Sequence, residues 1–276
     1  MSWKWKGKIM SQQQLELVAN YSTCSDWKLQ AFKTATTKIK EDAFPCPFSK
    51  QSISQKKAWF CFADLTNNDG YKDLLQNLHE YTQLFKVSLS PGNMYFPIVV
   101  SLKTPDSVAT LLEYNDFAWD VLQYLHEHDP CLWPQDMPSD PEDQLWSFVF
   151  SGLPLFVNIS TPCHHKRKSR NFGAQLTFII NPRQNFDVVA GNTSSGNEVR
   201  NHIRRRISKY DEAPVCKYLG MYGTEGNSEW RQYAVADDND STHIHKCPLN
   251  LDGKSKSTLN CDDVEERIIS IPSIHA

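Results

Sequence analysis

The chain has no apolar run approaching the ~20 residues that a membrane-spanning helix needs. It has no Cys-x-x-Cys pair, no glycine-rich phosphate loop, no Gly-x-Ser-x-Gly elbow and no His-x-Asp facial-triad element. Hydrolase and nucleotide-dependent chemistry therefore lack a positive signal. Residues 1–8 carry positive charge with no apolar stretch behind them, which is not a secretory signal, so the expected compartment is the cytoplasm. The 8 cysteines (24, 46, 61, 131, 163, 216, 247 and 261) are scattered. In a reducing compartment they read as buried or free thiols and not as a disulfide framework. A net charge of -3 gives no global reason to expect nucleic acid or an anionic membrane as partner. Internal repeats and low-complexity linkers are absent as well.

What is present is material for a core: 276 residues, 40% of them hydrophobic, with 14 Phe, 10 Tyr and 8 Trp. Tyr71, Leu74, Leu75, Leu78, Tyr81 and Phe85 keep helical spacing, which predicts an amphipathic helix over 70–86. A second helix is expected to begin near Pro105, with Val108, Leu111, Leu112, Trp119, Leu122 and Leu125 on its stripe and Asp129-Pro130 as its stop. The aromatic stretch 58–63 reads as a strand. Four prolines make 130–144 an irregular connection. The runs 145–150 and 153–160, separated by Ser151-Gly152, predict a hairpin, and 174–180 the next strand. Ser195 and Glu198 have capping-box spacing, opening a helix with Val199, Ile203, Ile207 and Tyr210 on one face. This mixture without strict βαβ alternation predicts an α+β fold, a mainly antiparallel sheet flanked by helices. One domain is expected to span 1–276, with 1–24 an N-terminal extension and 251–276 a polar tail.

Chemistry concentrates in 161–173, Thr-Pro-Cys-His-His-Lys-Arg-Lys-Ser-Arg-Asn-Phe-Gly. Neutral imidazole suits iron, copper or zinc. The neighbouring guanidinium and ammonium groups suit carboxylates or phosphates. A haem, with iron at its centre and two propionates at its edge, matches both halves. The plainer reading makes one histidine a surface residue and the other a hydrogen-bonded residue at a strand end. A zinc site would want more ligands; Cys46, or His243, His245 and Cys247, are the candidates. Cys46, between two prolines and two aromatic rings in Phe44-Pro-Cys-Pro-Phe48, could ligate haem iron or stay a buried inert thiol. The basic run Arg200, Arg204, Arg205, Arg206, Lys209 is more commonly a solvated helix face than a phosphate grip.

Several segments in order resemble the YqcI/YcgG family. They are Phe44-Pro-Cys46; Asp140-Pro-Glu-Asp-Gln-Leu-Trp146-Ser-Phe running into Leu155-Phe-Val-Asn158-Ile-Ser; and Thr161-Pro-x-His164 through Arg167-x-Ser-Arg170-Asn-x-Gly173. Leu176-Thr-Phe-Ile-Ile-Asn-Pro182-Arg183, Phe186-Asp187, the Arg-rich helix and Glu229-Trp230-x-Gln232-Tyr233 continue the likeness, which covers roughly 25–250. Phe172 departs from the leucine commoner at its place. The resemblance implies a b-type haem and hydroxylation of a guanidino or amine nitrogen of arginine or a related amino acid, in natural-product pathways. Dioxygen or peroxide would be the oxidant, and electrons would come from a separate reductase or ferredoxin. Carried over, His164 is the proximal iron ligand, with Cys46 the open alternative, and Arg167 and Arg170 pair with the propionates. Asp143, Trp146 and Asn158 are the candidate substrate contacts; Asp64 is a further possible acceptor, although solvation or capping accounts for both carboxylates. A haem-binding sensor without turnover and a zinc-binding protein are the alternative functions, and a homodimer is left open.

Overall fold

In the computed structural model the described residues are 8–21, 26–87, 96–239 and 245–251. A six-stranded sheet runs through them, in the order β1-β2-β3-β6-β5-β4. The strands are β1 (Met10–Ser11), β2 (Trp59–Asp64), β3 (Ile98–Lys103), β4 (Phe148–Phe150), β5 (Leu153–Ser160) and β6 (Leu176–Pro182). Every neighbouring pair is antiparallel except β2 and β3. Those two can run parallel because a long crossover, containing the helix α4 (Asn68–Val87), separates them in sequence. The class is α+β, as the mixed element order implies.

Alternation along the strands builds two cores. In β2, Cys61 and Ala63 face a layer made with α4 and α5 (Leu111–Glu127), packing with Leu78, Leu122 and Leu125. Phe60 and Phe62 face the other way, toward α1 (Gln12–Tyr21), α2 (Trp27–Lys40) and α3 (Pro47–Ser54). Covered on both sides, β2 and β3 are buried almost throughout and show no polar face. β5 behaves differently. Leu153, Leu155, Val157 and Ile159 are buried in the first core, whereas Pro154, Phe156 and Asn158 are only half-buried. The second core includes Val99 and Ile179 but no residue of β5. Over that end of the sheet lie α6 (Gln184–Ala190) and α7 (Ser194–Tyr210), and a cavity remains beneath them.

The helix expected over 70–86 is α4, and the hairpin expected around Ser151-Gly152 is β4–β5. Both turn residues have positive φ, 52° at Ser151 and 69° at Gly152, the signature of a turn whose twist matches its strands. Serine is strained there, and three tethers hold it. Its N–H donates to Asp129 Oδ1 (3.0 Å), its carbonyl accepts from Lys86 Nζ (2.7 Å), and its Oγ lies 2.7 Å from His79 Nδ1.

Three expectations are corrected. α5 begins at Leu111 and not near Pro105, because Thr110 and Glu113 form a reciprocal capping box; Pro105 instead opens a turn closed by Val108 N–H. α7 is capped by Thr193, whose hydroxyl accepts from Gly196 N–H, and not by a Ser195 box. Cys46, Cys61, Cys163, Cys216 and Cys247 are free thiols, but Cys131 is disulfide-bonded. Cysteines distant in sequence leave no spacing signal for such a pairing. Residues 10–21 are part of the sheet and core, since β1 pairs with β2 and Leu15 is fully buried. The tail from 252 lies outside the described residues. No helix among the described residues is long and apolar enough to cross a membrane.

Thr110→Ala removes the cap of α5 and should lower stability by about 1 kcal/mol. A lower urea midpoint with unchanged slope is the expected readout.

Candidate active site

His164, Arg167 and Arg170 are buried, and their polar atoms are already committed. His164 is 1% exposed. Its Nε2 is 2.9 Å from the Val235 carbonyl, which can only accept, so Nε2 carries the proton. Nδ1 then accepts from the Thr161 N–H (3.3 Å), with the Thr161 hydroxyl at 2.9 Å. Burial pushes the imidazole from its ordinary 6.5 down to about 4, with Arg170 and Arg167 adding to the effect against the Val235 bond and Asp237. Arg167 donates to Ala236 O, Pro214 O and Asn239 Oδ1, each at 2.7 Å. Arg170 donates to Tyr233 O (2.9 Å), Gln232 O (3.0 Å) and Ile159 O (3.3 Å). Asp237 in turn accepts the backbone N–H groups of His165, Lys166 and Arg167. The segment clasps the irregular stretch 211–239 to the sheet. As placed, His164 offers no free lone pair and Arg167 and Arg170 no free fork, while His165 is exposed.

The cavity lies elsewhere. It has a volume of about 270 Å³ and lies among α3, Phe156 of β5, the end of β6, α6, α7 and the loop 219–222. Cys46 is on its wall. That residue caps α3, its Sγ accepting from Ser49 N–H at 3.4 Å. Arg206 of α7 fixes the approach to it by donating to the carbonyls of Asp42 (2.6 Å), Phe44 (2.7 Å) and Pro45 (3.1 Å). The basic helix is thus not simply a solvated face: Arg204 donates to Leu219 O (2.6 Å), Arg200 to the carbonyls of Ala190 and Gly191, and both line the cavity. Arg205 and Lys209 are the exposed members of the run.

Among the described residues one acidic side chain lines the cavity, that of Glu229, which is 2% exposed. Its Oε1 accepts from the hydroxyls of Ser147 and Tyr233, each at 2.7 Å. Oε2 lies 3.2 Å from Arg183 Nε, close enough for charge attraction, although that N–H is not aligned for a hydrogen bond. Burial raises the Glu229 carboxyl, and Arg183 with the two hydroxyls opposes the rise. The Arg183 guanidinium carbon lies 4.0 Å from the Tyr222 ring centroid and 5.5 Å from that of Phe186.

Of the residues singled out in the sequence, Cys46, Arg200 and Arg204 are brought to the cavity. Asp143 is exposed and accepts from Leu145 N–H (2.7 Å), and Asp64 accepts from Thr66 and pairs with Lys103, so both are turn and surface residues. Trp146 is fully buried on the opposite face, stacked on Trp133, and Asn158 accepts from Ser160 Oγ (3.1 Å). His243 lies outside the described residues, His245 is exposed and Cys247 is buried. Among the described residues, no three His, Cys, Asp or Glu side chains converge as a metal cluster. Away from the cavity, His79 is buried with Nε2 unpartnered among the described residues and Nδ1 against Ser151, an orientation seen in imidazole ligands.

The chain belongs to the YqcI/YcgG family, whose model matches residues 35–250. It is 36% identical over 247 residues to a Streptomyces lavendulae protein named "Putative N(omega)-hydroxy-L-arginine synthase DcsA", covering 89% of this chain and 91% of that one. It is also 34% identical to YqcI of Bacillus subtilis, covering 85% of this chain and 94% of YqcI. For YcgG of the same organism the identity is 35%, over 82% of this chain and 88% of that one. No solved structure matches.

Reasoning from side-chain chemistry missed Arg183, Phe186, Tyr222 and Glu229. Three of them stand in the motifs Asn-Pro-Arg183, Phe186-Asp and Glu229-Trp that carry the family likeness, but no charge pattern linked positions so far apart in the chain.

The depressed imidazole has a consequence for stability. Between about 6.5 and about 4 the unfolded chain binds a proton at position 164 that the fold refuses, so stability should drop as pH falls through that window. The full contribution is about 3 kcal/mol for a shift from 6.5 to about 4. Urea titrations across pH 4–7 should show a shallower slope in His164→Gln than in the wild type.

Proposed function

We propose that this protein is a haem-dependent N-oxygenase that hydroxylates a guanidino nitrogen of arginine or a closely related amino acid. The observation that carries the reading is a cavity with a thiol on one wall and a single buried carboxylate, Glu229, on another. It occurs in a chain that aligns along nearly its whole length with a relative named for hydroxyarginine synthesis. The donor set suits a haem. Cys46 supplies a sulfur ligand, Phe48, Phe156, Phe186 and Ile207 supply apolar and aromatic wall, and Arg200 and Arg204 supply cations for carboxylates. His164 suits the role less well, since both ring nitrogens are engaged away from the cavity. Bound there, the haem would supply oxidising power that side chains lack.

Room is the demanding requirement. At about 270 Å³ the cavity is at the small end of ligand sites, so a macrocycle and a substrate together need its roof to move. The roof is suited to that. α6 fully buries only Asn185, and α7 only Gly196, so little apolar burial opposes an outward shift. The chain's own residues then hold the sulfur in place, exclude water with aromatic walls and present charge to both ends of the substrate. With dioxygen, one oxygen atom enters the new N–O bond and the other leaves as water. Two electrons come from an external reductase or ferredoxin and two protons from solvent; peroxide would replace the oxygen, the electrons and the protons together.

The test is the absorption spectrum of the purified protein and of Cys46→Ser and His164→Ala, followed by arginine turnover in labelled dioxygen or labelled peroxide. A haem band should be present, and the reduced carbonyl complex should absorb at the long wavelength typical of thiolate ligation in the wild type and in His164→Ala. Cys46→Ser should lose that band. Turnover should yield an arginine product heavier by one labelled oxygen. A colourless protein that cannot be loaded with haem, or a Cys46→Ser spectrum identical to wild type, would overturn the assignment. An imidazole-type spectrum abolished in His79→Ala would move the ligand to the other face of the sheet. A coloured protein that oxidises no guanidine would be a binding protein.

A further inference from the structure

The structure assigns Glu229 as a guanidinium-binding carboxylate, whose place for the incoming cation is held in this state by the protein's own Arg183. Two features meet at that point. The carboxylate is buried and anchored from behind, Oε1 accepting from Ser147 and Tyr233 at 2.7 Å, which leaves Oε2 toward Arg183 and the cavity. An aromatic face stands beside it, with Tyr222 at 4.0 Å from the guanidinium carbon and Phe186 at 5.5 Å. A planar cation between a carboxylate and a ring is the arrangement in which guanidinium is recognised in preference to ammonium.

Arg183 fills this arrangement poorly. Its Nε is 3.2 Å from Oε2 but is misaligned and makes no hydrogen bond. Its other ionic partner is Asp187 at 3.4 Å, whose side chain is 60% exposed, and a pair of that kind contributes little. A substrate guanidinium able to present two parallel N–H groups would form the fork that Arg183 does not. Displaced, Arg183 keeps Asp187 within reach and becomes a cation for the substrate's own carboxylate. Its backbone does not need to move, because its N–H is fixed to Pro154 O at 2.8 Å. Arg183 is thus a positioning residue with two roles, occupant of the empty site and clamp of the filled one.

The inference deepens the proposed activity and rests on it only for the identity of the substrate. It is read by binding, without turnover. Calorimetry at pH 8, on the full-length protein, uses methylguanidine, L-arginine and L-citrulline, the last an uncharged isostere. The wild type should prefer arginine over citrulline by on the order of tenfold or more, because a buried carboxylate is left unpaired by the neutral ligand. Glu229→Gln, which keeps an oxygen for the two hydroxyls, should bring the two affinities together. Arg183→Ala should melt at a lower temperature and be restored by methylguanidine, binding it several-fold more tightly than wild type once the internal competitor is gone. Unchanged arginine preference in Glu229→Gln would overturn the site. So would methylguanidine binding by Arg183→Ala no tighter than wild type, an arm that stands even where Glu229→Gln fails to fold. Guanidine binding without any oxidised product would leave this site standing and overturn the oxygenase. Hydroxylated arginine formed by Glu229→Gln at an unchanged KM would do the reverse.

Discussion

A carboxylate removed from water has to be held by donors, and the way Glu229 is held joins the two sides of this molecule. Tyr233, one of its two hydroxyl donors, also accepts from Phe148 N–H and lies 3.1 Å from Leu155 O, at the start of the β4–β5 hairpin. The ring of Tyr233 stacks near Trp119 of α5 and meets Phe156 edge-on. Phe156 lines the cavity. The acid that faces the cavity is therefore fixed by residues of the core on the opposite face of the sheet. Such a network raises the cost of leaving any member unsatisfied. Truncating Tyr233 would disturb stability and site together.

The cations of 161–173 follow from a different constraint. Between Asp211 and Asn239 the chain forms no strand and no α-helix, only a single 3-10 turn at Glu229–Gln232. Backbone carbonyls in such a stretch have no ladder to satisfy them, yet much of it is buried. Arg167 and Arg170 supply the missing donors, each guanidinium having several N–H groups to spread over the carbonyls. Asp211 and Asp237 do the converse for the backbone N–H groups of His165, Lys166, Arg167 and Ser169. This exchange of side chains for absent secondary structure is what places Glu229, Gln232 and Tyr233 where they act. In this structure the segment densest in functional-looking groups spends its buried cations on holding the backbone of 211–239.

Periodicity exposed the fold well because it reports burial, and burial is regular here in α4, α5, β2 and β6. Caps were harder to read: Thr110 and Thr193 outcompeted Pro105 and Ser195, since the cap is chosen by which hydroxyl reaches an N–H once the preceding chain is placed. α6 is too short and too exposed to leave a periodic signal. The site was legible only in part. Cys46 stood out because prolines and aromatic rings flank it. Glu229 and Arg183 are ordinary charged residues in sequence, and their significance comes from burial against each other, which no local pattern encodes. The family motifs include both without saying what either does.

The arginines of α7 link the sulfur to the roof. Arg206 grips three carbonyls just before Cys46, Arg204 grips Leu219 O beside the cavity loop, and Arg200 grips the end of α6. A helix that fully buries one glycine is held mainly by these charge-assisted bonds. Such bonds are directional, and they re-form after small shifts more readily than a packed apolar interface does. An outward movement of α7 would carry the 42–45 segment with it or exchange its carbonyl partners, so the width of the cavity and the position of Cys46 are not independent. Arg206 is the connection between the helix over the cavity and the segment that carries the thiol.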